Sequence, residues 1–447
     1  MKKLLSVVLC ILLVCTVFAG CKNSSPEEID APKNSSPAAS SGKPLRLCAD
    51  FGLKGVNPSG GQEYALETFL RSVADRGGPT DIEIELIPGS GSERQTALNR
   101  IRVELMSGQG PDIFIANCAD SNSALAGQAL FQFPEQAMKR GLFLKLDDYI
   151  ENAQFMEWDK LTPAVMDAGR TEDGQYLLPL SYSFPLSIFL ADDVQPYPVS
   201  TTWAQVAEGN DPILSTSMDP LLDAFLMLGH EYNYFSYTWK ELADYDSETL
   251  LISEEELLQR AKEVISLREN GADTPFPHFR SVMDHYLLSS NVISSPELNE
   301  AWQGITRSDS MTMIPLYCDQ GGAVAAVHTF AGINANTERS EDAFFVLDVL
   351  FLADLHKNLS LYDIWTMGEM PVHEGVSFGQ PENVLTAFGE ARSQIVSARF
   401  VTPLDALINN VLYEYQWRKS NENATEEDLD ELLRAAYSDM KKVLDES

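Results

Sequence analysis

Residues 98–114 read LNRIRVELMSGQGPDIF, and this stretch decides the fold. Its first half places apolar residues at helical spacing, which predicts the end of an amphipathic helix. Gly108 and Gly110 let the backbone leave the helix, and Pro111 prevents the helix from continuing. Residues 112–116 are mostly apolar and predict a buried strand. The stretch is therefore a helix, a stop and a strand.

The residues before this stretch repeat the alternation of strand and helix. The spacing of apolar residues predicts a strand over 45–50, a helix over 63–76, a strand over 82–87 and a helix over 92–107. With the strand at 112–116, this order is typical of a parallel α/β sheet with right-handed crossovers.

Residues 98–114 resemble the extracellular solute-binding proteins of ABC importers, in the family that includes maltose-binding protein. In that family a helix ends in an SGxGPDI turn that leads into the third strand. Further segments follow in the family's order: 175–189 (QYLLPLSYSFPLSIF) resembles the first crossing between lobes, 202–206 (TWAQV) the next helix start, 330–350 the return crossing and its helix, and 370–372 (MPV) a third crossing.

The resemblance implies an α/β fold of the type II periplasmic-binding-protein kind, in which two hinge-linked lobes enclose a ligand cleft. The first lobe would comprise residues 44–180 plus 331–370. The second would comprise residues 181–330 plus 371–447. Lobes of this kind close on their ligand by a hinge movement.

Candidate ligand-binding residues follow from the rule that ligands lie beyond the carboxyl ends of parallel strands. Phe51 follows the first strand, and Asn117 and Asp120 follow the third. The resemblance places Tyr182 at the first crossing, facing the cleft.

Aromatic side chains are the second group of candidates, because sugars present an apolar face that stacks on flat rings. For each ring, packing in the core is the competing interpretation. The aromatic candidates are Tyr237, Trp302, Phe330 and Trp365.

The N-terminus predicts export and a lipid anchor. Residues 1–20 combine a cationic head, an apolar run and a small-residue pair, as in a secretory signal. The cysteine that follows, Cys21, resembles the lipidation site of bacterial lipoproteins, although Phe18 departs from the usual leucine. Residues 21–43 are rich in Ser, Pro, Ala and Asn, which predicts a disordered tether. An ordinary signal peptide with an incidental cysteine is the alternative.

Charge, cysteines and motifs narrow the function further. Asp and Glu number 66 against 32 Lys and Arg, a net charge of −34 that argues against nucleic acid as a partner. Cys48, Cys118 and Cys318 lack zinc-site spacing, so no metal and no cofactor are expected. A disulfide between Cys48 and Cys118 and buried free thiols both remain open. The sequence contains neither an H-E-x-x-H motif nor a P-loop, and the resemblance points away from catalysis.

These observations predict a monomeric, non-enzymatic receptor that is lipid-anchored at the cell membrane and faces the extracellular side or the periplasm. Its partners would be a small solute, with a carbohydrate favoured, and the permease subunits of an ABC transporter. A polyamine or another cationic solute is the alternative ligand. An extracellular carbohydrate-active lipoprotein and a structural surface lipoprotein are the alternative classes of protein.

Overall fold

The computed structural model of the protein describes residues 42–50, 61–118, 128–189, 197–209, 235–271, 280–283, 312–356, 370–376 and 382–446. The strands are β1 Leu45–Ala49, β2 Ile82–Leu86, β3 Ile113–Asn117, β4 Arg170–Thr171, β5 Gly174–Gln175, β6 Leu177–Ser183, β7 Pro185–Phe189, β8 Ala243–Asp244, β9 Thr249–Leu250, β10 Arg280–Met283, β11 Thr312–Pro315, β12 Ala323–Ile333, β13 Met370–Pro371 and β14 Ile395–Phe400. The α-helices are α1 Gly61–Asp75, α2 Gly91–Met106, α3 Pro134–Lys139, α4 Asp147–Ile150, α5 Pro163–Met166, α6 Trp203–Gly209, α7 Glu254–Gly271, α8 Ser340–Leu350, α9 Ala353–His356, α10 Glu382–Arg392, α11 Pro403–Glu422 and α12 Glu426–Asp445. Short 3₁₀ helices occur at Trp158–Lys160, Asp167–Gly169 and Phe235–Thr238.

The N-terminal part of the sheet is parallel, as the alternation of elements predicts. β1 lies between β2 and β3 and pairs in parallel with both. Every residue of β3 is buried, so this strand reads as a continuous apolar run rather than an alternating one. Gly108 and Gly110 both have positive φ, which confirms the predicted stop between α2 and β3.

The long strand β12 connects the two halves of the main sheet. Its C-terminal half runs antiparallel to β3, and its N-terminal half runs parallel to β14. β6 pairs along the opposite edge of β12, and β13 adds to β6. The sheet therefore combines parallel and antiparallel strands around β12.

The predicted first crossing is confirmed as two consecutive strands. β6 belongs to the main sheet, whereas β7 is the central strand of a second sheet, between β10 and β11. Phe184 separates β6 from β7 and is fully buried. The chain thus passes from one sheet to the other over a single residue.

Two long helices close the chain, and both begin with a capping box. Thr402 and Asp405 cap α11, and Thr425 and Asp428 cap α12. α11 packs against α12 and against the 3₁₀ helix at Phe235–Thr238. Lys43–Ser447 forms one compact unit, and the predicted lobe boundaries stay predictions.

The cysteines of the body form no disulfide with one another. Cys48, Cys118 and Cys318 are all buried. Cys48 lies opposite Phe114 in the β1–β3 register, so Cys118 lies four residues further along. At about 3.3 Å per residue this offset exceeds the roughly 7 Å limit between the Cα atoms of a disulfide. Of the two possibilities that the sequence left open, the structure therefore excludes the Cys48–Cys118 disulfide and shows buried thiols.

Candidate functional site

The carboxyl ends of two strands meet on one edge of β12. β3 ends at Asn117, which lies opposite Thr329, and β14 ends at Phe400, which lies opposite Val327. The backbone N–H of Cys118 donates to the carbonyl of His328 over 2.8 Å. Residue 328 therefore lies at the junction of the two strand ends, which is a place where open α/β sheets bind ligands.

The backbone of β12 is irregular at this junction. Its pairing with β6 shifts register on either side of Thr329, which indicates a β-bulge around residue 328. Bulges bend a strand and redirect side chains, and they occur often beside functional sites. Here the ring Nε2 of His328 lies 2.6 Å from the hydroxyl of Ser183, and the hydroxyls of Ser181 and Thr329 are 2.6 Å apart. The junction thus carries a row of polar groups between two apolar layers.

Asn117 is the predicted ligand-binding residue that lies directly at this junction. Its side chain is only 4% exposed. Within the described part of the chain, neither its amide nitrogen nor its amide oxygen has a hydrogen-bond partner. Leaving a buried polar group unpaired costs about 1–3 kcal/mol, so such a group needs an explanation. A bound solute that accepts from the nitrogen and donates to the oxygen would provide one.

The neighbouring strand end is held by an ion pair instead. Asp50 follows β1, and both of its carboxylate oxygens accept from Arg94 of α2, over 2.7 and 2.8 Å. Arg94 is fully buried and also donates to the carbonyls of Pro88 and Gln128. The sequence analysis missed Arg94, although it lies four residues before Leu98 and seven before Ile101, which places it on the apolar face of α2. Asp50 is therefore occupied in holding the scaffold.

A second buried ion pair supports the end of β14. Arg399 donates to both carboxylate oxygens of Asp405, over 2.7 and 2.8 Å, and Ser236 donates to the same carboxylate. Burial alone would raise the pKa of Asp405, but the Arg399 guanidinium and hydrogen bonds from Thr402 and Ser236 hold it below its usual range. The pair fixes the start of α11 against β14.

The predicted aromatic residues that the structure describes are buried. Tyr182 is fully buried and stacks on Phe184 with ring centroids 6.3 Å apart. Phe330 is fully buried, and its ring centroid lies 5.2 Å from that of Phe400. Tyr237 is 6% exposed, with the Arg399 guanidinium 5.6 Å from its ring centroid. Ligand contact by these rings stays a prediction.

The other predicted site residues lie outside the described residues. They are Cys21, Phe51, Asp120, Trp302 and Trp365.

One catalytic pattern that the sequence analysis did not report is GVSFG at residues 375–379, which has the spacing of a G-x-S-x-G nucleophile elbow. That elbow requires a strand directly before the serine and a helix directly after it. Here β13 ends at Pro371, a turn occupies residues 374–375, and α10 begins only at Glu382. Ser377 itself lies outside the described residues. The surroundings that are described do not match the elbow.

Neither a metal site nor a membrane-spanning helix occurs among the residues that the structure describes. Within the described ranges, no group of three or more His, Cys, Asp or Glu side chains is placed to hold a metal ion. None of the helices described has both the length and the apolar character needed to cross a bilayer.

Comparisons with known proteins identify the fold. No protein-family model matches the sequence, and no curated protein sequence matches it. Solved structures show that the chain has the α/β fold of the type II periplasmic binding proteins, as predicted. One such structure is an extracellular solute-binding protein of family 1 from Alicyclobacillus acidocaldarius subsp. acidocaldarius DSM 446, with a TM-score of 0.53, 14% identity, and coverage of 91% of this chain and 100% of that one. Another is a periplasmic oligogalacturonide binding protein from Yersinia enterocolitica, with a TM-score of 0.51, 10% identity, and coverage of 90% and 99%.

Proposed function

We propose that this protein is a non-enzymatic receptor that binds a carbohydrate between two lobes for an ABC importer. The fold supports this proposal, since it is shared along nine-tenths of the chain with solute-binding proteins. The Yersinia protein is described as an oligogalacturonide binding protein, and we extend the carbohydrate class to this chain.

The observation that carries the proposal is the buried amide of Asn117, which has no hydrogen-bond partner among the described residues. An asparagine amide offers a donor and an acceptor side by side, and two adjacent sugar hydroxyls can pair with both. The hydroxyl of Ser183 on β6 and the ring of His328 on β12 add further polar groups at this junction. A neutral ligand rich in hydroxyl groups fits these polar groups better than an apolar one does.

Membrane attachment and delivery to a permease belong to the same proposal. They are supported by the lipidation-type cysteine Cys21 and by the tether that the sequence predicts over residues 21–43. A receptor that is held at the membrane surface releases its solute close to the permease.

A thermal-shift panel tests the ligand class. Each common linkage type of oligosaccharide is added at saturating concentration to the purified protein. A ligand that binds the native state raises its stability by RT ln(1 + [L]/Kd), so the melting temperature rises with ligand concentration. If no sugar of any linkage class changes the melting temperature, the carbohydrate assignment is wrong.

The variant Asn117→Ala tests the site. Loss of the Asn117 amide leaves ligand hydroxyls without partners. We therefore expect the Kd for the sugar found in the panel to rise roughly 10- to 100-fold. Isothermal titration calorimetry measures this change. Asn152→Ala removes the same side chain from an exposed position and should leave the Kd unchanged. Equal affinities for Asn117→Ala and the unmodified protein would remove Asn117 from the site.

The alternative ligand and the alternative class give different results in the same assays. The excess of 66 acidic over 32 basic residues favours cationic solutes such as polyamines, which are therefore included in the panel. A shift with polyamines alone would replace the carbohydrate assignment. Release of products from a polysaccharide by the isolated protein, and its loss in Ser377→Ala, would instead indicate an enzyme.

A further inference from the structure

A cavity of about 630 Å³ opens between β14, helix α3 and the segments 167–176 and 240–246. Ser397 and Arg399 contribute to its lining from β14. Its volume falls within the range of about 300–1,000 Å³ that is typical of small-molecule sites. The cavity is therefore large enough for a ligand of the size of a monosaccharide.

This cavity lies apart from the junction at Asn117. Asn117 lies opposite Thr329 of β12, whereas Ser397 lies opposite Val324. Five residues of strand separate the two positions, which corresponds to roughly 16 Å at about 3.3 Å per residue. A ligand in the cavity would therefore occupy a second site.

Two buried polar atoms of β14 lack hydrogen-bond partners beside this cavity. They are Oγ of Ser397 and Nε of Arg399, and neither has a partner among the residues that the structure describes. Side chains two residues apart in a strand project to the same face, so both atoms lie on one side of β14. Arg399 is 7% exposed, and its terminal nitrogens are already bound by Asp405 and by the carbonyl of Ser236. Because a guanidinium N–H can only donate, Nε of Arg399 calls for an oxygen acceptor that these residues do not supply.

Acidic groups are in excess among the side chains that line the cavity. Six acidic and four basic side chains give the lining a formal charge of −2. Glu135 of α3 is partly exposed to the cavity, and it makes no ion pair with any residue that the structure describes. Lys139, on the same helix, is bound by Asp246 over 2.6 Å. Glu135 therefore lacks a dedicated cation, and a positively charged group of a ligand would supply one.

We propose that this cavity binds a small hydroxylated amine, a molecule that carries both an ammonium group and hydroxyl groups. A ligand oxygen accepts from Nε of Arg399 and shares a hydrogen bond with Oγ of Ser397, and the ammonium group pairs with the carboxylate of Glu135. An anionic ligand would satisfy Arg399 but would be repelled by the excess of carboxylates. An amine without hydroxyl groups would leave both β14 atoms unpaired. The inference does not depend on the proposed function.

The carboxyl of Glu135 provides a measurement that is specific to this cavity. Burial raises its pKa from 4.5 to about 7, and Glu241 adds to the increase, whereas Arg399 and Lys139 oppose it. An ammonium group beside a carboxyl favours the ionised form, so a bound amine should lower the titration midpoint toward the ordinary value. Carbon-detected NMR of the side-chain carboxyls measures this midpoint. At fixed pH, the same signal followed as ligand is added gives a Kd for the cavity alone, separate from any binding at Asn117.

Three ring compounds of similar size test the class of ligand. Glucosamine carries hydroxyl groups and an ammonium group, glucose lacks the ammonium group, and cyclohexylamine lacks the hydroxyl groups. Glucosamine should lower the Glu135 midpoint and bind at least about tenfold more tightly than cyclohexylamine, because it alone pairs with Glu135 and with β14. Glucose should leave the midpoint unchanged. Equal affinities for glucosamine and cyclohexylamine would overturn the proposal, and so would an unchanged midpoint with both glucosamine and the smaller ethanolamine at millimolar concentration.

A pair of serine variants tests the part played by β14. Ser397→Ala removes one of the two polar groups, so the Kd for glucosamine should rise about tenfold. Ser393→Ala removes a hydroxyl from an exposed position just before β14 and should leave the Kd unchanged. Arg399 is kept, because its ion pair with Asp405 supports the fold. The same Kd in Ser397→Ala as in the unmodified protein would show that the ligand does not contact β14 and would overturn the proposal.

Discussion

Buried polar side chains at the strand ends perform two different tasks. The carboxylate of Asp50 and the guanidinium of Arg94 satisfy each other at the end of β1, so this pair holds the scaffold. The amide of Asn117 at the end of β3 has no partner among the described residues. A buried polar group without a partner calls for an explanation, and the proposed solute would supply one for Asn117.

The expected chemistry of the cysteines also depends on where they lie in the chain. Burial raises the pKa of the Cys48 thiol to about 12, so at neutral pH this residue is an unreactive member of the core. Cys118 and Cys318 are buried too. Cys21, by contrast, follows a signal-like segment, and the sequence predicts that its thiol carries the lipid.

We predict that Cys21→Ala releases the protein from membranes and leaves solute binding intact. Stable anchoring needs about two acyl chains, and this variant removes their attachment point. Fractionation of cells followed by calorimetry on the released protein measures both properties. Cys48→Ala is the matched control and should stay with the membrane. Membrane retention of Cys21→Ala would mean that residues 1–20 act as an uncleaved anchor.

At the scale of single residues, the sequence indicates candidate positions but not their partners. Asn117 is a candidate because it ends an apolar strand, which is a local pattern. The pairing of Asp50 with Arg94 spans 44 residues, and that of Ser183 with His328 spans 145. Such pairs depend on how strands align in the sheet, and no local pattern specifies this alignment.

Among the elements, β14 and α11 form a unit through one network. Asp405 caps α11 with Thr402, binds Arg399 of β14, and accepts from Ser236 of the 3₁₀ helix at Phe235–Thr238. Three elements therefore depend on one carboxylate, which is 2% exposed. In the equivalent cap of α12, Asp428 accepts hydrogen bonds from the backbone and side chain of Thr425 and is partly exposed.

We predict that Asp405→Asn lowers the free energy of unfolding by about 3–5 kcal/mol, because it leaves the charge of Arg399 buried without a counterion. Urea denaturation followed by circular dichroism measures the loss. Asp428→Asn makes the same change in an exposed cap and should cost far less. Similar losses in the two variants would show that helix capping, rather than the buried ion pair, accounts for the effect.

The elements themselves were largely predictable where they are regular. β1, β2, β3 and α2 lie within one residue of the predicted bounds, because alternation and helical spacing are properties of the local sequence. The dual pairing of β12 and its bulge near His328 were not predicted. A strand that changes partners midway has the same apolar composition as one that does not.

For the molecule as a whole, β12 is the strand that joins distant segments of the chain into one sheet. It pairs with β3, β6 and β14, so strands drawn from both predicted lobes share one hydrogen-bonded sheet. Every residue of β12 except His328 is buried. Unfolding of one predicted lobe would therefore expose apolar surface of the other predicted lobe.

This coupling leads to a prediction for the whole body. A protein that begins at Lys43 contains the complete compact unit Lys43–Ser447. It should unfold in one transition, with the same melting temperature and the same solute affinity as a chain that begins at residue 22. The reason is that residues 22–42 supply little apolar surface to bury, whereas β12 ties the remaining strands into one sheet.

Differential scanning calorimetry provides the test, since a single cooperative unit gives equal calorimetric and van't Hoff enthalpies. Two resolved transitions would mean that the lobes fold independently and that β12 does not couple them. A lower melting temperature for the shortened chain would mean instead that the tether packs on the body. Repeating the scan with saturating solute separates these outcomes further, because a ligand that contacts both lobes must raise the temperature of every transition that the scan resolves.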